Sequence, residues 1–181
     1  MGPVGAGKTE AIRSLSDIEV VDTDVIATDE VARMKSTTTV SMDVGVLNLQ
    51  DGDKLRLYGA PGQDRFDFMW EILVEHAKGL VIMLNHAKPD PLQDLKDYLD
   101  SLQKLLAGRK LPLVIGVTHV DERPDRSLDG YLDYLQRHPV SFALALTPVF
   151  PVDARKKQDA RALMFAMTAM LEVNERLGLS G

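Results

Sequence analysis

The chain has 181 residues, no cysteine and a formal net charge of −6. That length suits one domain with a core of its own. The missing cysteines exclude disulfides and thiolate metal sites, and the acidic balance argues against a nucleic-acid partner. Hydrophobic residues make up 45% of the chain and charged residues 27%, the balance of an ordinary globular protein.

The first residues, Met1–Ala6, lack the charged and apolar regions of a signal peptide. Ala6 stands where a myristoylation signal needs Ser or Thr. No apolar run reaches the roughly 18 residues that cross a bilayer, and no cysteine offers a prenylation site. The expectation is a cytoplasmic protein without a lipid anchor.

Gly2-Pro3-Val4-Gly5-Ala6-Gly7-Lys8-Thr9 fits the spacing Gly-x4-Gly-Lys-Ser/Thr. Glycines let such a loop curl until successive N–H groups face phosphate oxygens. The following helix, expected from Thr9 to Leu15, adds its positive end. Lys8 is expected at the β- and γ-phosphates and the Thr9 hydroxyl on Mg²⁺. A phosphate loop ordinarily follows a buried strand, and only Met1 precedes this one. The first strand is therefore expected to be absent, through a displaced start or because another segment or chain fills its place.

Further along, 16–38 is rich in Asp and Thr without periodicity and reads as a mobile connection. Ser41–Leu49 alternates, meets Asp51-Gly52-Asp53 and returns as Lys54–Tyr58, a hairpin signal. A loop at Gly59–Asp64 leads to a helix over Phe66–Ala77. Leu80–Leu84 and Leu113–Val117 are continuously apolar, as buried parallel strands are. Between them Pro91 opens a helix over Leu92–Ala107 with Leu92, Leu95, Leu99, Leu102 and Leu106 on one face, ended by Gly108. A helix at Leu128–Arg137, a short strand at Thr147–Val152 and a long helix at Asp159–Leu177 complete the chain. This alternation predicts a three-layer α/β fold with a mostly parallel central sheet.

Thr118-His119-Val120-Asp121 follows a buried strand, so Asp121 falls at the carboxyl edge of the sheet, where open α/β folds bind ligands. A carboxylate there can accept from guanine N1–H and the 2-amino group, a donor pair that adenine lacks. Gly59-Ala60-Pro61-Gly62-Gln63-Asp64 follows another strand. Its Gly62 N–H suits the γ-phosphate and Gln63 suits the attacking water. His76, His86, His119 and His138 do not share metal-ligand spacing. Met164, Met167 and Met170 read as core filling, and Trp70 as packing for the helix after Gly62.

Together these segments resemble the Ras-like small GTPases, and most of all the bacterial and archaeal gliding-motility (MglA-like) group. The resemblance implies a P-loop NTPase that binds GTP or GDP with Mg²⁺ as a switch, hydrolyses GTP through Gln63, and is read by a protein effector. It makes Ser36–Asp43 the first switch, with Thr39 as the Mg²⁺ ligand beside Thr9 and Thr38 and Thr37 as rivals. Leu57–Phe66 becomes the second switch. Thr118, His119 and Asp121 stand for the base motif, and Asp153-Ala154-Arg155 for the loop whose Ala154 N–H meets guanine O6. The nucleotide site implied is Gly2, Val4, Gly5, Ala6, Gly7, Lys8, Thr9, Gly62, Thr118, His119, Asp121, Asp153, Ala154 and Arg155.

Four residues depart from that pattern. Gly59 stands where an aspartate linked to Mg²⁺ is usual, leaving Asp43 or Asp24 as substitutes. Thr118 and His119 replace the usual Asn-Lys pair. Val4, branched where Ras has glycine, is expected to crowd Gln63 and the γ-phosphate and to slow hydrolysis until a GTPase-activating protein assists. A P-loop ATPase or kinase and a non-hydrolysing nucleotide-binding module are the competing functions.

Overall fold

The computed structural model describes residues 1–22, 42–49, 52–62, 67–141 and 146–178. Its elements are α1 (Lys8–Leu15), β1 (Val21–Asp22), β2 (Asp43–Asn48), β3 (Lys54–Gly59), α2 (Asp67–His76), β4 (Leu80–Asn85), α3 (Pro91–Leu106), β5 (Leu113–Thr118), α4 (Asp129–Arg137), β6 (Val149–Pro151) and α5 (Lys157–Arg176). A single 3-10 turn, Val120–Glu122, follows β5. The two-residue strand β1 lies inside the stretch expected to be an unstructured connection.

The strands form two three-stranded sheets. In the first, β4, β5 and β6 run parallel, with Leu80 opposite Leu113, Asn85 opposite Thr118 and Ile115 opposite Val149. In the second, β1, β2 and β3 run antiparallel, with Asp43 opposite Gly59 and Asn48 opposite Lys54. Parallel pairing is thus confined to one half of the strands. Met1 lies on the edge of β4 away from β5. Its nitrogen donates to the Val81 carbonyl at 2.6 Å and its carbonyl accepts from Met83 N at 2.8 Å. One residue therefore stands in strand register immediately before the phosphate loop.

Alternation along β4 and β5 builds a core on each face of the parallel sheet, because successive side chains point to opposite sides. Leu80, Ile82 and Leu84 join Leu113, Ile115 and Val117 on one face, covered by Trp70 and Val74 of α2 and by Leu95, Leu99, Leu102 and Leu106 of α3. Met83 and Val114 face the other way, against Ala11 and Leu15 of α1 and Ala160, Leu163, Met164 and Met167 of α5. Leu47 of β2 belongs to this second cluster and ties the antiparallel sheet to the rest. All six residues of β5 are buried, as its unbroken apolar run requires.

Local chemistry sets the helix limits. Asp90 caps α3 by accepting from Gln93 N at 2.9 Å, with Pro91 in the first turn, where its missing N–H costs nothing. Ala107 in the left-handed region, then Gly108, ends it. The Arg109 guanidinium then donates to the carbonyls of Val74, Glu75 and Ala77 at 3.0, 2.6 and 2.7 Å, so it caps the C-terminal end of α2. At the other end of α2, Trp70 Nε1 donates to the Pro61 carbonyl at 3.1 Å, and its ring stacks on Tyr98 at 5.0 Å between centroids. Trp70 is buried and makes no exposed surface.

His86, just past β4, is buried with both ring nitrogens engaged, at 2.9 Å from the Tyr131 hydroxyl and 2.9 Å from the Asp125 carbonyl. A carbonyl only accepts, so Nε2 carries the proton and Nδ1 accepts from Tyr131. Burial pushes the Tyr131 hydroxyl up to about 12, which keeps it a donor at any physiological pH.

Two substitutions test this packing. Leu102→Ala, at a fully buried position, is expected to lower the unfolding free energy by about 2–5 kcal/mol in urea titrations. Tyr131→Phe leaves His86 Nδ1 without its donor and is expected to cost about 1–3 kcal/mol by the same measurement.

Candidate nucleotide site

The loop from Gly2 to Gly7 leaves the edge of β4 and ends as the cap of α1. Gly7 sits at φ 79°, in the left-handed region, and its carbonyl accepts from Ala11 N at 2.9 Å to start the helix. That conformation is costly for any residue with a Cβ. Space is tight as well: a Cβ on Gly7 would lie 3.1 Å from Ala154 Cβ and in van der Waals contact, at 3.5 Å, with Thr118 Cγ2. The glycine the spacing demands is therefore also the point where three segments meet. Ala6 beside it is fully buried, whereas Val4 and Gly5 form the exposed rim.

Lys8 folds back over this loop. Its Nζ donates to the Gly2 carbonyl at 2.6 Å and the Pro3 carbonyl at 2.8 Å. Burial lowers its pKa to about 8, an effect the Asp43 carboxylate partly offsets. The Thr9 hydroxyl, one residue on, donates to Asp43 Oδ2 at 2.5 Å. The P-loop pattern implies Mg²⁺ here. A hydroxyl beside a carboxylate is the hard-oxygen chemistry that ion takes. Among the described residues no cluster of three or more His, Asp or Glu side chains could hold a metal. An ion at Thr9 would therefore be held largely by phosphate oxygens.

The turn after β3 lies directly on the loop. A Cβ on Gly62 would come within 2.7 Å of the Gly2 carbonyl oxygen and of Val4 N, so no larger residue fits. This turn and the phosphate loop are in close backbone contact. Gln63, and Thr39 with its rivals Thr38 and Thr37, lie outside the described residues.

The carboxyl ends of β4 and β5 hold the loop from below. Thr118 is buried, and its hydroxyl lies 3.0 Å from the Leu84 carbonyl and 3.3 Å from the Ala6 carbonyl. Both carbonyls only accept, so the hydroxyl proton is committed to them and His119 Nδ1, at 2.8 Å, is the donor to Thr118. Thr118 thus ties the phosphate loop to β4 and β5. His119 adopts φ 57°, uncommon for a residue other than glycine and a mark of functional loops. Asp121 follows in the exposed 3-10 turn.

Sequence reasoning passed over Asn85. Its Nδ2 donates to the Gly5 carbonyl at 3.1 Å while its Oδ1 accepts from Ala87 N at 2.9 Å. An amide ending an apolar run at the carboxyl edge of a parallel sheet was the available signal.

After β6, Ala154 reaches Gly7 as described. Its neighbours are engaged with each other. The Asp153 carboxylate accepts from Arg155 Nε at 2.8 Å and from Arg155 N at 3.1 Å, and Arg155 holds its pKa well below the usual carboxylate range. Asp153 N donates to Asp159 Oδ2 at 3.0 Å, so that amide is already satisfied. The Arg155 guanidinium is shifted up mainly by Asp153, with smaller contributions from Asp121 and Glu122. Gly7, Thr118 and Ala154 meet in one place, with Lys8 and Thr9 one and two residues further along the chain from Gly7.

Comparisons agree with this architecture. A bacterial selenocysteine-specific elongation factor, EF-Sec, superposes with a TM-score of 0.62 at 16% identity, over 95% of this chain and 28% of that one. At that identity the likeness speaks for the fold, which is that of the P-loop NTPases. No curated protein matches the chain. No helix among the described residues is long and apolar enough to cross a membrane. The model of a family described as conserved hypothetical ATP binding proteins matches residues 17–179, a span that begins after the phosphate loop. The chain belongs to that family of conserved hypothetical ATP binding proteins.

Proposed function

We propose that the protein is a GTP-binding switch with slow intrinsic hydrolysis, allied to the gliding-motility group of Ras-like GTPases. The observation that carries this is the meeting at Gly7 of the phosphate loop, Thr118 after β5 and Ala154 after β6. Phosphates and base are thereby addressed from one point. Lys8 and the loop amides take the phosphates, and Thr9 with Mg²⁺ sits beside them. Asp121 and the Ala154 N–H take the guanine edge. The first switch with Thr39 and the second with Gly62 and Gln63 answer to the γ-phosphate, so that hydrolysis changes the surface offered to an effector.

Slow turnover follows from Val4. Its side chain is exposed on the rim of the loop, and its amide lies against the turn that leads to Gln63. An activating protein is needed to order that region and to supply charge. ATP is the second reading, favoured by the description of the family. The two differ at Asp121, whose carboxylate has a pair of donors to meet on guanine and none on adenine.

The base is tested by Asp121→Asn. Under the GTP reading the preference moves from guanine to xanthine nucleotides in competition binding. An unchanged preference, or ATP displacing GTP from the wild type, rejects it. The phosphates are tested by pH. Lys8 has its pKa lowered to about 8, and a polyphosphate favours its charged form, so binding takes up a proton above that pH. Affinity is expected to fall as pH rises through 8, by up to about tenfold per unit. Lys8→Met should bind weakly with that fall removed, as read by calorimetry.

A further inference from the structure

Asp121 and Glu122 stand exposed in the 3-10 turn after β5, so the placement of the Asp121 carboxylate depends on the backbone that carries it. On the near side that backbone is held by buried Thr118, and the Glu122 N–H closes the turn by donating to the His119 carbonyl at 3.2 Å. On the far side the chain leaves the turn at Arg123 in an extended conformation. Residues 121–127 are exposed except Arg123, which is half-buried. Its Nη2 donates to the Lys88 carbonyl at 2.6 Å and to the Pro89 carbonyl at 3.2 Å, both in the loop between β4 and α3. Two residues further on, the Asp125 carbonyl accepts from Nε2 of buried His86 at 2.9 Å. His86 opens that same loop, and its own N–H donates to the Thr118 carbonyl at 2.9 Å. The segment 86–89 thus grips the turn on both sides of Asp121.

We propose that Arg123, with His86 beside it, is a positioning residue for base discrimination: it fixes the turn so that both oxygens of the Asp121 carboxylate meet the N1–H and 2-amino groups of guanine together. Two parallel hydrogen bonds to one carboxylate need both oxygens in line with the base edge, and they weaken steeply when the angle is lost. A turn anchored only at Thr118 could tilt about that point and keep one of the two bonds. The Arg123 bonds to Lys88 and Pro89 oppose that tilt from the other end. The phosphates are taken by a separate segment, the loop with Lys8 and Thr9, so loosening Arg123 acts on the base and spares the phosphates.

This inference rests on the guanine reading of Asp121, and the test separates the two. Calorimetry compares GDP with IDP, whose base lacks the 2-amino group, and with inorganic tripolyphosphate, which has no base. The wild type is expected to prefer GDP over IDP by about tenfold or more, the worth of one hydrogen bond to a charged group. Arg123→Met keeps the apolar stem and removes the donors. In it that preference is expected to fall by at least about threefold, while the affinity for tripolyphosphate stays within about twofold of the wild type. Arg123→Lys, which keeps a donor of shorter reach, is expected to lie between the two. A merely structural role would weaken GDP and IDP alike and leave their ratio unmoved. Should Arg123→Met fail to fold, the ratio in Arg123→Lys decides. A wild-type ratio that survives in Arg123→Met, or in Arg123→Lys where only that variant folds, overturns this inference and leaves the guanine reading standing. A wild type that binds GDP and IDP equally overturns both.

Discussion

A loop that presents its amides inward has to turn more sharply than side chains allow, and the molecule is arranged around the place where that turn closes. At Gly7 the backbone takes a left-handed conformation and starts α1, with Ala154 and Thr118 at van der Waals distance. Each neighbour comes from the carboxyl end of a different strand of the parallel sheet. The position of the loop therefore depends on β5 and β6 keeping their register, which the two-sided core under β4 and β5 enforces. Thr118 and Asn85 add polar ties to the Ala6 and Gly5 carbonyls, and within the loop the Ala6 N–H donates to the Pro3 carbonyl at 3.2 Å.

The electrostatics of the site are organised around that geometry. The Lys8 ammonium lies against carbonyls of its own loop, in a place where burial opposes its charge. It is thereby close to where phosphate oxygens would replace those carbonyls as partners. On the opposite side, Asp153 and Arg155 neutralise each other.

Much of this was legible in the chain and some of it was not. The continuous apolar runs of β4 and β5 and the leucine stripe of α3 carry strong periodic signals, and the structure places these elements within a residue or two of expectation. The phosphate-loop pattern was legible from spacing, whereas the loops after β5 and β6 were picked out by their place after a strand and by resemblance. β1 escaped because two residues cannot show a period. Asn85 escaped because its partner, the Gly5 carbonyl, is 80 residues away in sequence. Of Asp43 and Asp24, the two substitutes expected for a carboxylate at Gly59, Asp24 lies outside the described residues. Only the pairing of β2 with β3 shows that Asp43 lies opposite Gly59, and cross-strand register is not written in linear spacing. The division of the strands into two sheets was also invisible, since local pattern does not say which edges pair.

The Arg109 guanidinium has a mechanical side. Three carbonyls at the end of α2 converge on it, and it belongs to the segment leading out of α3, which is itself packed into the core. Those bonds pin the trailing end of α2 as an axle pins a lever. The leading end is held by the bond from Trp70 to Pro61, next to the turn that touches the phosphate loop, and by the stacking of the buried Trp70 ring on Tyr98. α2 is therefore held at both ends against the same core.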